Sequence, residues 1–242
     1  MTTMKHIDQI ESTEHPKVWD LPVRVFHWTL VTAVIGAFVT NRLGVSYFKY
    51  HVWFGYVVIV AISFRIVWGF VGTYHARFLS FIRGPIQTVQ YGLGLLRGQH
   101  QHYAGHNPIG ALMVLALLAS LGVQAVAGLF GNDEIFNVGP LNGYVSNDIS
   151  LFLTSLHRKL FYGIAVAVAL HVLAVFAHLI FFKENLVVPM ITGRKPVYNV
   201  VDAIIIKSSR AFLAIAISLS IAFVLFYIVS NAPVPISDAS NL

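Results

Sequence analysis

Eleven histidines stand in a chain of 242 residues that has no cysteine. Four of them carry the strongest suggestion of chemistry: His27, His51, His157 and His171. Neutral imidazole binds metals and is a common axial ligand of haem iron. Without cysteine there is no disulfide, thiolate zinc site, iron–sulfur cluster or covalently attached c-type haem. His157 and His171 are 14 residues apart. On an α-helix that separation turns through about 1400°, about 40° short of four full turns, and rises about 21 Å. The two histidines therefore share one face of one helix at two depths. Such a face suits two stacked cofactors, each completed by a histidine from another helix. A lone histidine in a membrane helix can also bridge to a carbonyl or mark a proton path. Four that sort by depth and face point to ligation. His178 lies about 20° off the same face and rivals His171 for the deeper position.

The elements that must hold these residues are long apolar runs. Hydrophobic residues make up 57% of the chain and charged residues 11%, and the mean hydropathy is +0.72. A soluble domain carries about 45–50% apolar and about 25% charged residues. Crossing a bilayer takes roughly 20 apolar residues. Five runs qualify, from about Val25 to Val45, Val52 to Val71, Ile109 to Phe130, Leu156 to Phe182 and Phe212 to Val229. None alternates as a barrel strand does. Asp8, Glu11, Glu14 and Asp20 precede the first run without an apolar core. That start does not read as a signal peptide, so the first span is expected to stay in the membrane.

Orientation follows from Lys and Arg. With the N-terminus inside, the inner segments hold Lys5, Lys17, Arg24, Arg77, Arg83, Arg97, Lys183, Arg194, Lys195, Lys207 and Arg210. The outer segments hold Arg42, Lys49, Arg158 and Lys159, and Arg65 falls inside the second span. The expectation is a cytoplasmic N-terminus and a periplasmic C-terminus. The net charge of +6 reflects this topology, since the basic residues sit mostly in short loops, and nucleic-acid binding is not expected. In this frame His27 and His171 form an inner pair, and His51 and His157 an outer pair, consistent with two bis-histidine haems. His157 is expected to start its span.

Two inner segments, Thr73 to Gly105 and Lys183 to Arg210, could lie on the membrane surface as amphipathic helices. Gly131 to Ser150 reads as an outer loop. His100, His102 and His106 loosely suggest a di-iron cluster, but partner clusters are missing and a solvated loop explains them better. Arg65 is costly inside a span; it either snorkels to the inner end or pairs with a haem propionate. His75 and His106 are candidates for an inner propionate or quinone site. Gly55, Gly110, Gly122 and Gly128 would admit a flat macrocycle, though close helix packing is the simpler account. Trp28, Trp53 and Trp68 lie near span ends, where an interfacial belt suffices to explain them.

Several segments carry a family resemblance. The run Val18 to Trp28 (VWDLPVRVFHW) resembles the opening of the bacterial di-haem cytochrome b561 family, which includes the cytochrome b subunits of nickel-iron hydrogenases. Arg65 to Gly72 is similar to the end of its second helix. His75 to Phe78 and Gly105 to Ala111 are similar to motifs bracketing its inner loop. Lys183 to Leu186 and Met190 to Lys195 are similar to its sequence after the fourth helix. The resemblance covers about residues 18 to 196. It implies an all-α integral membrane protein, with a four-helix haem-binding bundle and two non-covalent b haems. The fifth, C-terminal helix lies outside the match. The expected division is therefore residues 1–17 as a cytoplasmic segment, 18–196 as the haem domain, and 197–242 as the fifth helix and tail. By position His27 and His171 would ligate the inner haem, and His51 and His157 the outer; the match favours His171 over His178. The family commonly has an acidic residue after the outer ligand of helix four; here Arg158 and Lys159 follow instead.

The function expected from this reading is electron transfer across the bacterial inner membrane, between the quinone pool and a redox partner. A periplasmic c-type cytochrome or dehydrogenase would suit, with quinone as an exchangeable substrate. The alternatives are a membrane anchor subunit of a hydrogenase-like complex, a self-contained quinone-linked superoxide oxidase, and a haem-free transporter or scaffold. No catalytic module is recognisable, so an electron-transfer subunit is expected rather than a stand-alone catalyst.

Overall fold

A computed structural model describes residues 16–99, 101–195, 206 and 208–234. Residues 1–15, His100, residues 196–205, Lys207 and residues 235–242 lie outside the described residues. Among those described, the chain forms α1 (Leu21–Arg42), α2 (Phe48–Val71), α3 (Phe78–Phe81), α4 (Pro85–Leu96), α5 (Pro108–Leu129), α6 (Asn147–Phe181), α7 (Val187–Thr192) and α8 (Ala211–Ser230). Beyond these lie three short 3₁₀ turns and two isolated bridges, Lys17 with Arg194 and Asn132 with Val138. Helices α1, α2, α5, α6 and α8 are long and apolar enough to cross a membrane. The protein is an all-α integral membrane protein, as expected.

The starts of these helices follow local chemistry. Asp20 caps α1, its Oδ1 accepting the Val23 amide at 2.7 Å. Asn107 caps α5 in the same way, with Oδ1 accepting the Gly110 amide at 2.7 Å. Pro85 and Pro108 open α4 and α5 at positions where the missing N–H is no loss. Helix α6 begins at Asn147, nine residues before the apolar run does. Hydropathy misses this first stretch because Asn147, Asp148, Ser150, Thr154 and Ser155 interrupt its apolar residues. Ser146 opens it, its carbonyl accepting the Ser150 amide at 3.0 Å, and Asp148 lies in the first turn. His157 is therefore well inside its helix, and the expected loop ends at Ser146. In the two segments expected to lie on the membrane surface, α3, α4 and α7 are the helices that form among the described residues.

The chain divides into two compact units. One comprises Phe26–Arg65, Ala116–Val168 and Leu213–Leu242. Within it, parts of four helices close a ring. A β-carbon on Gly36 of α1 would strike the Phe54 ring of α2. Gly122 of α5 faces Ile62 of α2 at 3.6 Å from the position of such a carbon. Gly128 of α5 lies against His157 of α6. Phe161 of α6 stacks on Phe38 of α1, with centroids 5.7 Å apart. Glycines thus make room for the side chains of facing helices where a β-carbon would crowd them. The chain after α8 meets the loop before α6, where the Tyr144 hydroxyl donates to the Asn231 carbonyl at 3.3 Å.

The other unit comprises Met1–Val25, Ile66–Leu115 and Ala169–Phe212. Its centre is the fully buried Asp20. Besides capping α1, the carboxylate accepts the Trp68 indole N–H at 3.0 Å and the Thr73 hydroxyl at 2.5 Å. Trp68 is therefore 0% exposed and is no part of an interfacial belt; Trp28 and Trp53 are exposed. Gly193 ends α7 with φ +82°, a conformation that favours glycine. Its carbonyl accepts the amides of Val18 and Trp19.

Candidate functional site

His51 and His157 come together in one unit. Their ring centroids are 6.1 Å apart and their planes are 81° to each other. His51 Nδ1 lies 2.8 Å from the Ala37 carbonyl of α1. His157 Nδ1 lies 2.8 Å from the Gln124 carbonyl of α5. A carbonyl only accepts, so each Nδ1 carries the proton and donates. The Nε2 lone pairs are then the ones left to bind a metal. Two imidazoles held in line on one ion, by metal–nitrogen bonds of about 2 Å, have ring centres about 6.3 Å apart. The observed separation matches. Gly55 follows His51 by one helical turn, and a β-carbon there would meet nothing within 4 Å. The residues present therefore fit the iron and the flat face of a haem.

His27 lies on α1 in the same unit, its ring edge-on to Trp28 at 5.1 Å. His171 lies on α6 in the other unit. Arg65 is 2% exposed, enclosed by the protein rather than reaching outward as a snorkelling side chain would. His75 is buried in the turn after α2, with Nδ1 3.4 Å from where a Gly105 β-carbon would stand. His106 packs between Trp19, at 4.8 Å, and Phe81, at 4.7 Å. Both belong to the unit centred on Asp20.

His178 lies in a different setting. Asn107 Oδ1 is occupied by the Gly110 amide, so its Nδ2 is the atom facing His178 Nε2, at 3.5 Å. That nitrogen accepts, and Nδ1 donates to Glu184 Oε2 at 3.0 Å. Both ring nitrogens of His178 are thereby turned to protein groups. Glu184 also pairs with Lys195 at 2.8 Å, both side chains nearly covered, and Lys195 Nζ donates to the Tyr103 carbonyl at 2.6 Å. Burial alone would raise the Glu184 pKa. The His178 hydrogen bond and the Lys195 charge outweigh it and hold the carboxyl below its usual range. His102 is 3.8 Å from the same carboxylate. Among the described residues no group of three or more metal-ligating side chains forms, so His102 and His106 build no di-iron cluster there.

The sequence reading gave no role to Asp20, Asn107, Glu184 or Lys195. The only signal was their place in the motifs. Asp20 of the first motif binds Trp68 of the second. Asn107 of the inner-loop motif meets His178, and Glu184 and Lys195 of the last two motifs pair with each other. Arg158 and Lys159, which directly follow His157, are exposed beside Asp133 and Glu134 around a small cleft. Burial alone would raise the Asp133 pKa, but hydrogen bonds from the Asn137, Phe136 and Ile135 amides and the Asn137 side chain together outweigh it and lower the pKa to about 2.

Five apolar helices, with an imidazole pair spaced for one metal ion in a closed ring of four of them, are the pattern of a membrane cytochrome. The family model for prokaryotic cytochrome b561 matches residues 18–193, and the chain belongs to that family. A protein of Rhodobacter capsulatus named "Probable Ni/Fe-hydrogenase B-type cytochrome subunit" is 26% identical over 80% of this chain and 86% of its own length. A protein of the same name from Cupriavidus necator is 26% identical over 73% and 85%. Another, from Bradyrhizobium diazoefficiens, is 23% identical over 74% and 85%. No solved structure matches the chain. The protein is thus a multi-pass bacterial membrane cytochrome with haem b, and its work is membrane electron transfer, as the sequence resemblance implied.

Proposed function

We propose that the chain carries electrons across the membrane through two bis-histidine b haems, between the quinone pool and a redox partner enzyme on the outer face. The observation that carries this reading is the His51–His157 pair, 6.1 Å apart with both Nδ1 atoms on carbonyls. His51 and His157 hold the outer haem; His27 and His171 hold the inner one. His171 is preferred to His178 because both ring nitrogens of His178 are turned to protein groups. Bound haem supplies one-electron chemistry. The chain sets the ligands and their orientation: the carbonyls of Ala37 and Gln124 fix the tautomers and raise imidazole basicity. With two histidines to hold each iron, the site would leave no position open to oxygen, which favours transfer over activation. Arg65, His75 and His106 are assigned to the inner propionates or a quinone. The N-terminus is cytoplasmic and the C-terminus periplasmic, on the Lys/Arg bias. The hydrogenase-subunit names of the relatives favour a nickel-iron hydrogenase as partner over a periplasmic c-type cytochrome. In that case the chain is also the enzyme's membrane anchor.

The test is a pyridine haemochrome assay on the purified chain and its His27→Ala, His51→Ala, His157→Ala, His171→Ala and His178→Ala variants. Two b haems per chain are expected, with losses at the first four positions and none at the fifth. Haem-free folded protein would overturn the electron-transfer reading. Loss at His178 with retention at His171 would reassign the inner ligand. Affinity purification from gently solubilised membranes then identifies the partner, and a copurifying nickel-iron metalloprotein is expected.

A further inference from the structure

The loop between α5 and α6 carries a turn that haem binding does not use. Ile135 and Phe136 stand at its tip, 73% and 72% exposed. Two large apolar side chains held side by side in the open mark an interaction site. The turn beneath them is fixed by hydrogen bonds. Asp133 Oδ1 accepts the amides of Ile135, Phe136 and Asn137 at 3.0, 2.8 and 2.8 Å, and Oδ2 accepts the Asn137 side chain at 2.6 Å. The Asp133 amide donates to the Asn137 carbonyl at 3.0 Å. Glu134 takes φ +60°, a conformation costly outside glycine, and its amide is met by Asn132 Oδ1 at 2.8 Å. Asn132 in turn donates its amide to Thr154 Oγ1 of α6 at 2.8 Å, one helical turn before His157. Every amide from Asn132 to Asn137 is therefore spent inside the turn or on α6, and the tip is presented in one shape. Preorganisation of that kind removes an ordering cost from binding.

Either an acyl-chain layer or a protein would cover such a tip, and the charges around it decide between them. Segments that dip into a bilayer surface carry Lys or Arg beside their apolar residues, matched to anionic lipid. Here the flanking residues are Asp133 and Glu134, neither in an ion pair among the described residues. The turn's own hydrogen bonds hold the Asp133 carboxyl ionised. Sinking the tip into acyl chains would draw both carboxylates towards the low dielectric, at a cost. Arg158 and Lys159 border the cleft on the α6 side, so the apolar pair is rimmed by both signs of charge. An aromatic and an aliphatic anchor inside a charged rim is the anatomy of a protein–protein hot spot. We propose that Ile135 and Phe136 anchor the redox partner on the outer face. That partner is a folded protein with an apolar pocket, bordered by basic groups opposite Asp133 and Glu134 and by acidic groups opposite Arg158 and Lys159. The inference rests on the electron-transfer reading above and gives it a docking surface.

The chain has no cysteine, so Phe136→Cys supplies a unique thiol in the full-length protein. It is labelled with benzophenone maleimide in membranes of the producing cells and irradiated. Val45→Cys, at an exposed apolar residue in the turn after α1, is treated beside it. The expected product at position 136 is an adduct with one other protein that carries a redox cofactor. That protein is then purified, and its binding to wild type, Ile135→Ala, Phe136→Ala and Val45→Ala is measured in detergent, with haem content read on each. Both tip variants should bind about tenfold or more weakly, Val45→Ala should bind as wild type does, and haem content should not change. Once reduced with dithionite, the purified protein should reduce the haem of Phe136→Ala more slowly than that of wild type at the same subsaturating concentration. No adduct, adducts equal at positions 136 and 45, or an adduct protein without a redox cofactor would overturn the proposal. Adducts only with lipid, with a second copy of the chain or with residues 235–242 would overturn it too. Undiminished binding by both tip variants, with two haems per chain, defeats this proposal alone, whereas a haem-free wild type defeats the electron-transfer reading.

Discussion

Gly128→Ala places a methyl carbon 2.9 Å from His157 Cε1 and 3.1 Å from its Nδ1. Carbon atoms in contact settle at about 3.5–4.0 Å, so the imidazole or α5 must yield by about 0.6 Å or more. The ring has little freedom to do so, because Nδ1 is held at 2.8 Å by the Gln124 carbonyl, one turn earlier on the same helix. Moving the ring away from the methyl group either lengthens that hydrogen bond or swings Nε2 off its line towards His51. Losing an interaction that orients a ligand typically weakens metal binding about 10–100-fold. The purified variant should hold close to one haem fewer per chain by pyridine haemochrome, and any outer haem that remains should titrate at a shifted potential. Gly122→Ala is the control, since its methyl carbon would stand 3.6 Å from Ile62 Cγ2, an ordinary contact. Unchanged haem content and potential in Gly128→Ala, or equal losses in both variants, would refute the reasoning.

Two further perturbations test the unit centred on Asp20. Glu184→Gln leaves Lys195 buried without its counter-charge and should destabilise the fold by about 3–5 kcal/mol near neutral pH. Because the folded-state pKa of Glu184 is depressed, its contribution is complete above the unfolded value of about 4.3 and is lost as pH falls below it. The difference in unfolding temperature between wild type and variant should therefore narrow below about pH 4.3; a constant difference from about pH 6 to about pH 3 would contradict the assignment. Asp20→Ala strands the donors of Trp68, Thr73 and Val23, each worth about 1–3 kcal/mol when buried and unsatisfied. Thermal unfolding should show a loss of several kcal/mol, partly recovered in Asp20→Asn; a loss under about 1 kcal/mol would remove Asp20 from the centre of this unit.

Composition and hydropathy alone determine that this chain crosses a membrane with five helices, because the bilayer sets a length of apolar residues that can be counted. Helical periodicity alone puts His157 and His171 on one face, since 14 residues come close to four whole turns. The motifs carry the family. Tertiary structure decides what periodicity cannot reach. The partner of His157 within its unit is His51, with Gly36 and Gly128 making room for the Phe54 and His157 rings. The atoms left to bind metal follow from carbonyls on two other helices, distant in sequence from the rings they orient. The mixed polar and apolar start of α6 lies outside the hydropathy run, and the helix opens where the Ser150 amide reaches the Ser146 carbonyl. Trp68 and Arg65 look like residues of the membrane boundary, yet both are buried. A side chain's hydropathy says only what it costs to bury. Whether that cost is met depends on a partner, and for Trp68 the partner is Asp20, 48 residues away.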